Sequence, residues 1–172
     1  DLLQQVAGID IRRRGVNGMQ ADLYIRGGSF DQTLILIDGI KVEDAQTGHH
    51  TMNMALPIEV IERVEIIKGP AARVFGQNAF TGAINIVTKK NTENVNAAGF
   101  QVGSFGQQHV SGTTGIDFNR TSVIAHASIN TSDGYRYNTD FKNQNYFLKS
   151  AFNKNHTPIN LIGYFTERKF GA

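Results

Sequence analysis

From residue 95 onward the sequence becomes a run of segments, each about ten residues long, that alternate apolar with polar or small side chains. In TSVIAHASIN, residues 121–130, Val123, Ala125, Ala127 and Ile129 share one face while His126, Ser128 and Asn130 share the other. In NYFLKSAFN, residues 145–153, Tyr146, Leu148 and Phe152 oppose Lys149 and Asn153. Successive side chains of a strand point to opposite faces, so a period of two describes strands with one apolar face. Five such strands are predicted, at roughly 96–104, 108–118, 121–132, 143–154 and 158–169. The junctions GSFGQQ and DFNRT are short, whereas TSDGYRYNTDFKN is long and polar. Short and long connections in alternation suit a transmembrane β-barrel, although a soluble β-sandwich produces the same periodicity.

Composition supports strands over helices. Eighteen glycines stand against three prolines, with eleven Phe and five Tyr, a balance that favours strands joined by turns. Residues 1–90 carry ten Lys/Arg and ten Asp/Glu, and residues 91–172 carry seven and five, so no basic tract exists for nucleic acid. The absence of cysteine removes disulfides, thiolate metal sites and cysteine nucleophiles. No apolar helical span or signal peptide is present, which excludes a helical membrane protein but not one built from strands.

Residues 1–90 read as a compact α+β unit. LLQQVAG is a short helix stopped by Gly8, and IDIRR and DLYIRG are strands separated by a loop at RGVNGMQ. TLILIDG is a near-continuous apolar run, as expected of a strand buried on both faces that turns at Asp38-Gly39. Pro57 opens a short helix through PIEVI, and RVEIIKG is a strand ended by Gly69-Pro70. AARVFG makes one or two helical turns before the strand GAINIVTKK, with Ile84 and Ile86 on one face and Asn85 and Val87 on the other.

Several of these stretches together resemble a known family. IRGG at 25–28, LILIDGIKV at 34–42, LPIEVIERVEIIKGPAARVFGQNAFTGAINIVTKK at 56–90 and GYRYNTDF at 134–141 are similar to the TonB-dependent receptors of Gram-negative outer membranes. The resemblance covers essentially the whole chain. It implies a plug domain over residues 1–91 followed by the first five or so strands of a barrel over 92–172, in a receptor of about twenty-two strands. Five strands cannot close a barrel, so the chain is expected to be an excised segment of a longer protein. Among the family, stretches such as SDGYRYNTDF look closest to the cobalamin and ferric-siderophore receptors.

The resemblance also assigns candidate sites. The plug's apical loops, which by motif order look like residues 13–20 and 42–54, contribute to the ligand site in this family. Ligand contacts are therefore expected from Arg14, Asn17, Met19, Gln46, His49, His50, Met52 and Asn53. Two histidines beside two methionines suggest copper or zinc, but adjacent residues of an extended segment point to opposite sides, so recognition of the solute is preferred and no metal site is assigned. Glu59, Glu62, Arg63, Glu65, Lys68 and Arg73 crowd fifteen residues, too many charges for an ordinary core. Arg26, Glu62, Arg63, Glu65, Lys68 and Arg73 are expected to meet a polar barrel wall, a solvated surface with local ion pairs being the alternative. Gly69 and Gly82 serve backbone geometry.

No catalytic constellation is found. Ser29 in RGGSFD lacks the glycine of a nucleophile elbow, and GSFGQQ carries no nucleotide signature. The expected protein is therefore no enzyme and has no cofactor. It is an outer-membrane importer of a scarce, bulky solute, with the ferric chelate or cobalamin, outer-membrane lipid and the energising TonB complex as partners. The competing reading is a soluble module that reuses the plug fold, whose strands after residue 94 would be polar on both faces.

Overall fold

The computed structural model describes residues 2–14, 20–42, 56–70, 72–75, 78–89, 95–154 and 157–171. The chain divides into two compact units, one of Asp1–Met54 with Ile61–Thr88 and one of Ala55–Val60 with Lys89–Ala172.

In the first unit, β1 (Ile9–Arg14) and β2 (Gln20–Ile25) form an antiparallel hairpin in register from Ile9 opposite Ile25 to Arg14 opposite Gln20. A four-stranded mixed sheet follows in the order β4-β3-β6-β5, formed by β3 (Thr33–Ile37), β4 (Ile40–Lys41), β5 (Ile61–Lys68) and β6 (Gly82–Thr88). Strand β3 runs parallel to β6, and the other pairs are antiparallel. Every residue of β3 is buried, as its unbroken apolar run predicts. Burial of each Leu or Ile there contributes about 1.5–3 kcal/mol, and the core is shared with Ile84, Ile86 and Val87 of β6. On one face Leu34 and Leu36 pack with Ala79 and Ala83 beneath Phe75 of the single α-helical turn α1 (Ala72–Phe75). The remaining predicted helices are single 3-10 turns, at Leu2–Gln5 and Ile58–Val60. β4 was outside the expectation because two residues are too few for periodicity to register.

The turn after β3 is clamped across the sheet. Asp38 takes a left-handed φ of 50°, with Gly39 at 81°. The Thr88 backbone N–H donates to Asp38 Oδ1 at 2.8 Å and its hydroxyl to Oδ2 at 2.6 Å. The Gly39 N–H donates to Asn85 Oδ1 at 2.9 Å. At the other end of β6, a Cβ on Gly82 would collide with the Ile67 carbonyl and press Ile25 Cδ1 at 3.0 Å, so no side chain fits where three strands converge. Gly69 sits at φ +115°, a conformation reserved for glycine.

The second unit is an antiparallel meander, in the order β11-β10-β9-β8-β7. Its strands are β7 (Asn96–Val102), β8 (Gln108–Phe118), β9 (Thr121–Ser132), β10 (Phe141–Lys154) and β11 (Thr157–Phe170). All five lie where the alternation places them, and the last two, at 14 residues each, exceed the 9–11 residues or so that cross a bilayer. The register sets Ala127 opposite Tyr146 and Tyr146 opposite Phe165, while His126 faces Phe147 on the other side of the same sheet. The apolar face is the exposed one: Phe100 is 67 % exposed, Leu161 63 % and Phe165 61 %. The opposite face, carrying His126, Ser128, Asn143 and Lys149, is the buried one. A soluble sandwich buries its apolar face and wets its polar face; this sheet does the reverse, as a membrane-barrel wall must.

Two outcomes test these assignments. In the full-length protein carrying this segment, Asp38→Ala should lower thermal stability by about 1–3 kcal/mol, because it strands two buried donors of Thr88, while Asp38→Asn should cost less. Calorimetric unfolding in detergent measures both. Leu148→Arg on the exposed apolar face should destabilise membrane insertion by about 2–4 kcal/mol, read from refolding yield into lipid vesicles, whereas Lys149→Arg on the opposite face should not.

Candidate functional site

The sequence places the ligand site on two loops. Residues 15–19, with Asn17 and Met19, join the paired ends of the β1–β2 hairpin and lie outside the described residues; Arg14 is paired in β1, but its side chain also lies outside them. The segment from residue 43 to 55, with Gln46, His49, His50, Met52 and Asn53, likewise lies outside the described residues. Among the described residues no group of three or more His, Asp or Glu is arranged to hold a metal ion.

The charged side chains expected along the plug motif lie close together on β5, an amphipathic strand. Arg63 Nη1 is 2.6 Å from Glu62 Oε1, and Nη2 is 2.8 Å from Glu65 Oε1. Hydrogen bonding to Glu65 pushes the Arg63 guanidinium above its ordinary value. Asn85 Nδ2 donates to the second Glu65 oxygen at 2.9 Å, which ties the group to β6. Lys68 Nζ donates to the Ala7 carbonyl. Arg26, at φ 51°, donates its backbone N–H to the Gly8 carbonyl at 2.9 Å, and its guanidinium lies beside Gly69. The Arg73 side chain lies outside the described residues. The structure thus brings Glu62, Arg63 and Glu65 into one network and leaves Lys68 and Arg26 holding backbone at the base of the β1–β2 hairpin.

A second polar group on this hairpin was not singled out from the sequence. Arg12 lies 4.8 Å above the Tyr24 ring, and its Nε is 2.8 Å from Asp10 Oδ2, which pushes the guanidinium up. With Arg26, Gly27 and Ser29 these residues line an open depression of about 400 Å³. Its only sequence signal was the charge alternation of IDIRRR, because the cross-strand pairing that sets Asp10 opposite Tyr24 is invisible to local periodicity.

On the second unit, residues 56–60 lie against the buried sheet face. Val60, fully buried, packs with Ile124 and Phe147, flanked by Leu56 and Ile162. Lys89 fixes this segment twice: its N–H donates to the Val60 carbonyl at 2.9 Å and its Nζ to the Glu59 carbonyl at 2.6 Å. The Glu59 carboxylate then stands 3.8 Å from His126 Nε2, while His126 Nδ1 is 2.8 Å from Thr113 Oγ1.

The TonB-dependent receptor plug domain family matches residues 1–83. The vitamin B12 transporter BtuB of Vibrio cholerae is 33% identical over 117 residues, which cover 67% of this chain and 19% of that protein. BtuB of Vibrio vulnificus is 39% identical over 88 residues, 51% of this chain and 14% of that one. Among solved structures, the pyoverdine receptor FpvA of Pseudomonas aeruginosa superposes with a TM-score of 0.75 at 18% identity, over 97% of this chain and 24% of the receptor. The siderophore receptor PirA of Acinetobacter baumannii gives 0.71 at 20% identity, over 95% and 28%. A plug sequence in mixed α+β context, followed along the chain by an antiparallel sheet whose apolar face is exposed, is the order in which a plugged outer-membrane barrel begins. The chain belongs to the TonB-dependent receptor family, of which it spans about a fifth of the length of the matched BtuB proteins.

Proposed function

We propose that this chain is the plug and first barrel strands of an outer-membrane receptor that binds cobalamin or a ferric siderophore and imports it with energy from the inner-membrane TonB complex. The observation that carries this reading is the combination of the plug sequence with a sheet whose apolar face is exposed and whose polar face is buried. Two relatives that cover half to two thirds of this chain are named for vitamin B12 transport, which favours cobalamin as the first solute to test.

In this mechanism no bond is made or broken. Solute binding favours one arrangement of the plug, and the energised partner supplies the work that opens a path. Arg14, Asn17, Met19, Gln46, His49, His50, Met52 and Asn53 form the recognition surface. Arg26, Glu62, Arg63, Glu65, Lys68 and Arg73 provide charged contacts to the wall of the complete barrel, where the β5 network keeps its carboxylates oriented.

The test is calorimetric titration of the intact receptor with cyanocobalamin and with ferric hydroxamate and catecholate chelates. Binding of one of these, weakened about tenfold by alanine at His49, His50 or Met52, is the expected result. Failure of all of them alongside tight binding of a glycan or peptide would overturn the assignment of the solute.

A further inference from the structure

The exposed face of the meander changes character toward one end. The connection 133–140 and the turn 103–107 lie at that end, whereas only residues 119–120 join β8 to β9 at the other. Longer loops mark the extracellular side of a barrel. There Lys142 of β10 stands directly opposite Lys169 of β11, both exposed, and Thr131 and Gln108 continue the same row across β9 and β8. Like charges directly opposite each other destabilise a strand pair. Glu167 Oε1 lies 3.1 Å from Lys169 Nζ and is the one acid on this face of the strands among the described residues, so two cations share a single anion.

One row further along the strands the face turns apolar. A groove of about 430 Å³ opens there, lined by Val110, Gly112, Ala127, Ile129, Gln144 and Tyr146. Gly112 and Ala127 pair opposite one another and form its floor, where a Cβ on Gly112 would meet nothing within 4 Å. The Tyr146 ring walls the β10 side, with the Phe165 ring centroid 6.3 Å away, and its hydroxyl accepts from Gln144 Nε2 at 3.3 Å. Successive rows on one face are about 7 Å apart, so the lysines lie within a headgroup's reach of the groove. β10 and β11 are longer than a bilayer crossing requires, and each lysine sits one residue from the end of its strand. That position carries both ammonium groups out of the hydrocarbon to the headgroup level.

We propose that this face carries a site for a phosphate-bearing acyl lipid of the outer leaflet, its phosphate bridging Lys142 and Lys169 and an acyl chain lying in the groove over Gly112 and Ala127. The phosphate supplies the anion that the lysine pair lacks, through charge-assisted hydrogen bonds. A free phosphate ion would use the lysines alone, whereas an anionic lipid occupies lysines and groove together. The inference rests on the sheet being a barrel wall and is independent of the solute carried.

Native mass spectrometry of the full-length receptor released from detergent micelles, titrated with lipid A and with its dephosphorylated form, tests the site. The phosphorylated lipid should be retained about tenfold more tightly. That preference should vanish in the double variant Lys142→Gln, Lys169→Gln. Gly112→Leu, which fills the groove without a collision, should weaken retention with both lysines in place. Equal retention of the two lipids by the native receptor overturns the site by itself. So does a preference that survives the double variant, retention unchanged by Gly112→Leu, or displacement of the lipid by millimolar inorganic phosphate. A receptor dimer that excludes lipid would assign the face to a second copy and overturn the site as well. Heat-modifiable migration on gels separates the two readings: without it the barrel wall fails and the site with it, and with it a negative result counts against the site alone.

Discussion

Every other feature of the barrel-side unit depends on one constraint: a backbone without access to water must find its hydrogen-bond partners in neighbouring strands. The meander meets it with ladders that run unbroken from β7 to β11, fourteen paired residues long between β10 and β11. Once the ladder is continuous, the two faces of the sheet are free to serve two different surroundings. Phe100, Leu161 and Phe165 point to one, and His126, Asn143 and Lys149 to the other. The same alternation gives the sheet a second, buried face, on which residues 56–60 rest through the packing of Val60 with Ile124 and Phe147.

The plug unit solves a different problem. Its β3 is too apolar to tolerate water on either side, so it occupies an inner position between β4 and β6, covered on one face by α1. Around that fixed element the chain reverses through positions where only special geometry is allowed. Asp38 accepts a left-handed turn in exchange for two hydrogen bonds from Thr88, and Gly82 gives up its side chain so that three strands can meet. The motif residues of the plug are therefore mostly structural: IDG, IKGP and GAINIVT mark where strands turn, cross and clamp.

The charged residues divide along another line. On β5 the sequence crowds Glu62, Arg63 and Glu65 together, and the strand's alternation alone accounts for two of them lying side by side on one face. What the sequence could not supply is Asn85, twenty positions away, which binds the second oxygen of Glu65. The grouping of Arg12 with Tyr24 was passed over for the same reason: Asp10 and Arg12 are two residues apart on β1, but Tyr24 reaches them only through the hairpin's cross-strand register.

By itself the sequence determined which segments are strands, the two-residue β4 excepted, which face of the meander strands is apolar, and that β3 is buried on both sides, because a period of two and an unbroken apolar run are local properties of the chain. It also placed the plug and barrel motifs in order. Only the tertiary structure decided that β3 pairs in parallel with β6, that the apolar face of the meander is the exposed one, and that Glu59 meets His126. These depend on contacts between residues far apart in the chain. His126 in particular alternates like any polar residue of β9, and only folding brings a carboxylate to its unpaired nitrogen.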